Sequence, residues 1–288
     1  MNLSRLNPLN LLCSLVFISI NCMSISCMST SFASNDNIEN PLRIAVAANF
    51  TPALKELLLE FHQKKNINSQ IISGASGALF LQIKHGAPFD IFISADSVRP
   101  KLLEQQGFTL IGSRKTYAIG QLALLSMNSQ AQLSDLALTL QKIPKHFAIA
   151  NPDTAPYGKA AKQTLQHLGL WQLYQNSLIT GININQTFTQ VRSQAVNSGL
   201  VANSQLVINK LAGAIIPSSY HQPIQQQLVI IKNRNNIDHA KRLSQFLLST
   251  EIQQKIVNFG YADNAPPEQS IQPLTQPLIL NGKSHAKP

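Results

Sequence analysis

From residue 42 onward, short apolar runs alternate with segments of helical period, and each junction from strand to helix is made of small, hydroxyl or amide residues. That alternation confines the chain to an α/β architecture, because strands joined through helices lie parallel, with the helices covering both faces of the sheet. The stretch Ile71-Ile72-Ser73-Gly74-Ala75-Ser76-Gly77-Ala78-Leu79 shows it best. A β-branched pair runs into small residues that open a helix, and Pro88-Phe89-Asp90-Ile91-Phe92-Ile93-Ser94-Ala95-Asp96 then supplies the next strand. Backbone NH groups and the Ser76 hydroxyl converge at the helix start with no Lys or Arg near them in sequence, an arrangement suited to an anion.

The same reading predicts strands at 42–47, 69–72 and 90–94, with helices at 51–64, 78–85 and 98–106, followed by an extended piece at 118–125. A second round has strands at 147–150, 178–180 and 200–202, and helices at 158–168 and 186–196. A further strand at 228–231 precedes a helical region over 238–259. Two rounds imply two lobes, residues 42–120 with 226–262 and residues 121–225. The extended pieces at 118–125 and 228–231 are then the crossings of a hinge. The 288 residues and 44% apolar content suffice for two cores.

The N-terminus has the layout of an export signal: Arg5, an apolar run from Leu11 to Ile20, and Ser31-Phe32-Ala33 as a small-x-small cleavage site. Residues 1–33 are read as a signal peptide, 34–41 as a polar leader, and 263–288 as a disordered tail rich in Pro, Gln and Asn. All three cysteines, Cys13, Cys22 and Cys27, fall inside the signal, so the mature chain lacks disulfides, thiolate metal sites and a cysteine nucleophile. Cleavage before Cys27 would instead give a lipid anchor. The formal charge of +10 is spread thinly, with no basic run longer than two. It describes a solvated surface, and no nucleic-acid partner is expected.

Four loops share one grammar: Ala47 to Pro52, Gly74 to Gly77, Asn151 to Gly158, and Gly181 to Asn185. Each joins the carboxyl end of a strand to a helix start, the usual ligand position in open α/β sheets. Each also has a purely structural reading. Asn49 and Ser76 suit helix caps, Tyr157-Gly158 an ordinary turn, and Ile184 a core position.

Taken in order, Ala47-Ala48-Asn49-Phe50, Gly74-Ala75-Ser76-Gly77, Gly86-Ala87-Pro88-Phe89-Asp90-Ile91-Phe92-Ile93-Ser94-Ala95-Asp96, Asn151-Pro152 with Ala155-Pro156-Tyr157-Gly158, and Phe259-Gly260-Tyr261 resemble the periplasmic molybdate-binding components of ABC importers. The resemblance spans roughly residues 42 to 262. It implies the two-lobed periplasmic-binding-protein fold, each lobe a mainly parallel sheet flanked by helices. It also implies a periplasmic, monomeric carrier that hands molybdate or tungstate to membrane permease subunits and needs no cofactor or metal. By matching position, the oxyanion contacts are Asn49 (side chain and NH, with Ala48 beside it), Ser76 (hydroxyl and NH), and the NH groups of Tyr157 and Ile184. Ala202 stands where some members carry a Tyr, so Ala202 and Asn203 are additional candidates.

Neutral donors fit that ligand. Molybdate is a proton-free dianion at neutral pH and only accepts hydrogen bonds, so carboxylates would repel it. Sulfate and phosphate are the competing anions. A serine hydrolase is the competing class, but Gly74 to Ala78 is not Gly-x-Ser-x-Gly and the seven histidines are scattered without a partner spacing. A cytosolic ligand sensor would lack the export signal.

Overall fold

A computed structural model of the chain describes residues 40–127 and 136–263. The expected signal peptide, Cys27, nearly all of the expected polar leader and the expected tail beyond Asp263 lie outside the described residues.

The first half runs β1 (Leu42–Ala47), α1 (Thr51–Lys65), β2 (Ser69–Gly74), α2 (Ser76–Lys84), β3 (Ile91–Ile93), α3 (Val98–Gln105) and β4 (Lys115–Gly120). The second round is β5 (Leu122–Ser126), α4 (Leu136–Gln141), β6 (Phe147–Ala150), α5 (Pro156–His167), α6 (Trp171–Tyr174), β7 (Leu178–Gly181), α7 (Ile184–Arg192), β8 (Ser198–Ala202), α8 (Asn203–Ile208) and β9 (Ala214–Ile215). Strand β10 (Ile224–Ile230) and helices α9 (Ile237–Leu247) and α10 (Thr250–Asn258) complete the fold.

The strands form two five-stranded sheets of the same design, β2-β1-β3-β10-β4 and β7-β6-β8-β5-β9. In the first, β1 pairs in parallel with β2 and β3, while β10 is antiparallel to β3 and β4. In the second, β6 is parallel to β7 and β8, while β5 is antiparallel to β8 and β9. Each sheet is therefore mixed but mainly parallel, as expected: four of its five strands run the same way, and β10 or β5 alone runs against them. Helical crossovers make the trios β2-β1-β3 and β7-β6-β8 parallel, and the strand that enters from the other lobe, β10 or β5, inserts against them in the opposite sense.

The expected extended piece at 118–125 is two strands that part at Gln121, one in each sheet, so one crossing falls there. The other crossing is not at 228–231, because Leu228 to Ile230 pair with β3 inside the first sheet. The strand already begins at Ile224, and the chain changes sheets before it. The run Gln225-Gln226-Gln227 hid this, since it reads as a polar loop. Gln226 and Gln227 are in fact buried, and a register shift between them breaks the simple alternation of faces.

Helix α1 sets Ala53, Leu54, Leu57 and Phe61 against Ile44, Val46 and Ile93, with Leu243, Leu247 and Ile256 from α9 and α10 in the same core. Leu79, Ile83, Leu103, Phe92 and Val229 pack together in a second cluster on the same sheet. The second lobe repeats the plan, with Phe147, Leu165 and Tyr174 in one cluster and Phe188, Val191 and Val201 in another. Each such side chain contributes about 1.5–3 kcal/mol on burial. Among the described residues, no helix is long and apolar enough to cross a membrane.

Three helix starts differ from expectation in one way. Helices α2, α5 and α7 begin two residues early, at Ser76, Pro156 and Ile184, which brings every candidate contact on them into the first turn.

Candidate functional site

The carboxyl ends of β1, β2, β3, β6 and β7 surround one small cavity. It is lined by Ala47, Ala48, Asn49, Gly74, Ala75, Ser76, Ala95, Ala155, Pro156, Tyr157, Asn183 and Ile184. Asn49, Ser76, Tyr157, Ile184 and Ala48 are thus brought together from both lobes. Ala202 and Asn203 are not among the lining residues. No lining residue is acidic, basic or a histidine. The free space is about 10 Å³, close to what one water needs, so a tetrahedral oxyanion enters only with an outward shift of the lining.

Ser76 is fully buried as the first residue of α2. Its Oγ accepts from the Ala95 NH at 3.0 Å, which leaves the hydroxyl proton free to be donated elsewhere. It does not cap α2; the cap position is Ala75, in extended conformation and without a side-chain bond. Tyr157 follows Pro156 at the start of α5. Proline has no NH, so the first NH that this helix end can offer is that of Tyr157. Ile184 opens α7, whose cap is Asn183: Oδ1 accepts from the Asn185 and Gln186 NH groups, each at 3.0 Å. The Ile184 NH takes no part in that pair of bonds.

Gln205 fixes the Ile184 loop from behind. Its Nε2 donates to the Ile184 carbonyl at 3.3 Å and to Asn185 Oδ1 at 2.8 Å, and its Oε1 accepts from the Ala202 NH at 3.1 Å. The Ala202 donor is therefore already used. Asn203 gives its NH to the Gln121 carbonyl at 2.9 Å and its Nδ2 to Gln121 Oε1 and the Gly260 carbonyl. Its work is to tie the β4–β5 crossing to the segment after α10.

Asn49 is buried and does not cap α1. Its Nδ2 donates to Gln226 Oε1 at 2.9 Å and to Tyr261 Oη at 3.2 Å, while Tyr261 Oη donates to the Asn49 carbonyl at 3.1 Å. Its Oδ1 is buried without a partner. Gln226 also bonds Tyr117 Oη at 2.9 Å and donates to Tyr157 Oη at 3.2 Å. Burial pushes the Tyr117, Tyr157 and Tyr261 phenols well up from their ordinary range, Tyr117 and Tyr157 also through neighbouring tyrosines. All three are neutral and protonated wherever the protein is folded and near neutral pH.

Beside the cavity, an open cleft of about 490 Å³ is lined by charged residues, among them Asp96 and Arg99, which form an ion pair. Two bonds cross from lobe to lobe at its floor: the Gly77 NH to the Thr154 carbonyl and Arg99 Nη2 to the Asp153 carbonyl, both 2.9 Å. The carboxylates of the 86–96 stretch are thus structural. Asp90 Oδ2 accepts from the Arg43 NH at 2.7 Å and from Asn236 Nδ2 at 3.1 Å. Among the described residues no cluster of three His, Cys, Asp or Glu could hold a metal ion.

Sequence reasoning missed Gln226, Tyr117, Ala95, Asn183 and Gln205, and gave Tyr261 no role of its own. Asn183 alone carried a local signal, as an Asn three residues before the expected helical period. The rest act through tertiary contacts.

Residues 42–262 match the family model described as bacterial extracellular solute-binding protein. The chain is 37% identical over 219 residues to the molybdate-binding protein ModA of Rhodobacter capsulatus, covering 75% of this chain and 86% of that one. Identity is also 37% over 227 residues to ModA of Azotobacter vinelandii, with 76% and 89% covered. The solved periplasmic molybdate-binding protein of Azotobacter vinelandii superposes with a TM-score of 0.73 at 34% identity, over 77% of this chain and 98% of that chain. The sulfate-binding protein SubI of Mycobacterium tuberculosis shares the fold alone, at a TM-score of 0.65 and 10% identity. With a family model spanning both lobes and relatives at this level of identity, the chain belongs to the bacterial extracellular solute-binding proteins.

Proposed function

We propose that this protein captures molybdate between its two lobes and delivers it to the membrane permease of an ABC importer. One observation carries the reading. Helix starts and strand ends from both lobes face a buried cavity whose lining holds donors but no charge. Asn49 contributes its amide and NH, Ser76 its hydroxyl and NH, and Tyr157 and Ile184 their NH groups. Ala48 is a wall beside Asn49, and Ala202 and Asn203 take no direct part. The relatives named for molybdate binding support the choice of ligand.

The chemistry is that of a counter-ion-free anion trap. Each charge-assisted hydrogen bond is worth roughly 1.5–3 kcal/mol, so six or seven offset the desolvation of a dianion and leave the roughly 8 kcal/mol of micromolar binding. The positive ends of α1, α2, α5 and α7 add to this without a fixed cation. Tungstate, with the same charge and nearly the same size, binds comparably. The lobes, expected as residues 42–120 with 226–262 and residues 121–225, divide instead ahead of Ile224, where β10 joins the first sheet, and they close on the anion. The protein works as a periplasmic monomer after removal of residues 1–33, and it catalyses no reaction.

Calorimetric titration of the mature chain with molybdate, tungstate, sulfate and phosphate tests this. Saturable heat with molybdate and tungstate, and far weaker heat with the other two, is expected. Binding of phosphate without molybdate would overturn the assignment.

A further inference from the structure

Gln226 lies outside the cavity lining, yet it touches the groups that set the polarity of the cavity wall. It is fully buried on β10, at the register shift next to Gln227. Its amide joins Asn49, Tyr117 and Tyr157, and so links a strand of the first lobe to a helix of the second.

Counting protons exposes a conflict in this network. Asn49 turns Nδ2 toward Gln226 and Tyr261, so the end of its amide without a partner is Oδ1, a bare acceptor on a residue that lines the cavity. An acceptor there repels a dianion. The single proton of Tyr117 meanwhile has two acceptors to serve, Gln226 Oε1 at 2.9 Å and the Ser94 carbonyl at 3.1 Å. The two ends of an amide are nearly equal in size, so turning both amides over leaves all heavy-atom distances in place. After that inversion Gln226 Nε2 spends its two protons on Asn49 Oδ1 and Tyr117 Oη. Tyr117 donates to Ser94, Tyr157 donates to Gln226 Oε1, and Asn49 Nδ2 is released with both its protons for the cavity. Gln226, Tyr117 and Tyr157 are then satisfied, and the Tyr261 hydroxyl, which no longer receives a proton from Asn49, shares its own between Asn49 Oδ1 at 3.2 Å and the Asn49 carbonyl at 3.1 Å.

We propose that Gln226 is the positioning residue of the anion site: in the bound form its amide donates to Asn49 Oδ1, which holds Asn49 Nδ2 toward the oxyanion. This rests on the oxyanion-binding reading above. Because the same amide then accepts from Tyr157, the orientation of Asn49 is fixed only when the second lobe is in place. The Gly120 backbone runs against this contact. A Cβ there would come within 2.4 Å of Tyr157 Oη and 2.7 Å of Gln226 Nε2, so the crossing strand leaves room for it only as glycine.

A double-mutant cycle with molybdate calorimetry tests the proposal, using wild type, Gln226→Met, Asn49→Ala and the double variant. Gln226→Met alone is expected to weaken binding at least fivefold, and to add nothing further in the Asn49→Ala background. A residue that merely supports the fold would weaken both backgrounds alike, and additive losses would overturn the positioning role while leaving the molybdate reading intact. Failure of the wild type to bind molybdate or tungstate would overturn both. NMR of the wild type serves if Gln226→Met does not fold. In the molybdate complex the Gln226 side-chain amide protons should show contacts to the Tyr117 ring, and contacts to the Tyr157 ring instead would overturn the proposal.

Discussion

At the scale of single residues, the site is made by side chains that serve two masters. Ser76 is the clearest case, since its Oγ accepts from the buried Ala95 NH while its proton remains for a ligand. Ser76→Ala therefore removes a ligand donor and also orphans a backbone NH. Affinity for molybdate should fall about tenfold or more, and the apo protein should lose about 1 kcal/mol or more of stability, the usual cost of an unmet buried donor. Titration and denaturant melts of the same preparation check both. An unchanged apo stability would show that the Ala95 bond is dispensable, and an unchanged affinity would remove Ser76 from the site. Ser76 and Asn49 could each be read from sequence as either caps or contacts. The structure decides against capping, because neither side chain bonds the start of its helix.

At the scale of elements, the recurring unit is a parallel strand feeding a helix whose first turn carries the donor. Alternation and period locate nearly all of these units, yet three helices begin two residues ahead of their expected starts. Gly-Ala-Ser-Gly, Ala-Pro-Tyr-Gly and Asn-Ile-Asn read locally as loops, and only the bonds of the folded helix draw their residues into its first turn. Gly77, second in α2, shows how tightly such starts meet across the lobes. A Cβ there would lie 3.0 Å from Thr154 Cα and 2.9 Å from Arg99 Nη2, and the Gly77 NH is bonded to the Thr154 carbonyl. Gly77→Ala should hold the lobes apart and weaken molybdate binding by an order of magnitude, with little effect on either core. Small-angle scattering with saturating molybdate should show a larger radius of gyration than wild type; identical curves and identical affinity would refute this.

At the scale of the whole molecule, the cavity's neutrality predicts a dependence on pH that is flat where most anion sites are steep. The one titratable lining group, the Tyr157 phenol, keeps its proton well above pH 10, so molybdate affinity should be constant between about pH 6 and 9, where carboxylates, Lys and Arg keep their charge. A slope of one proton across that range would place a titrating group in the site. Stability behaves differently at the alkaline end. Tyr117, Tyr157 and Tyr261 hold their protons more tightly in the folded state than the usual value of 10. Their contribution is complete below about pH 10, the unfolded value, and is lost as pH rises toward their folded values. Melting temperature should therefore drop steeply above that pH, with tyrosinate absorbance appearing together with unfolding.

The sequence by itself determined the class of fold and the placement of the four candidate loops at strand ends, because both rest on local properties. Apolar period sets strand and helix, and Asn49, Ser76, Tyr157 and Ile184 stand at strand ends whatever the topology. The tertiary structure decided what long-range pairing alone can decide. It made each sheet mixed, by inserting β5 and β10 from across the crossings. It moved the second crossing ahead of Ile224, because Gln226 and Gln227 read as polar until their partners on other elements are known. It separated Asn203 from the cavity by spending its donors on Gln121 and Gly260. A polar side chain's role is fixed by which hydrogen-bond partner lies within about 3 Å, and for Gln226 those partners are 69 to 177 residues away in the chain.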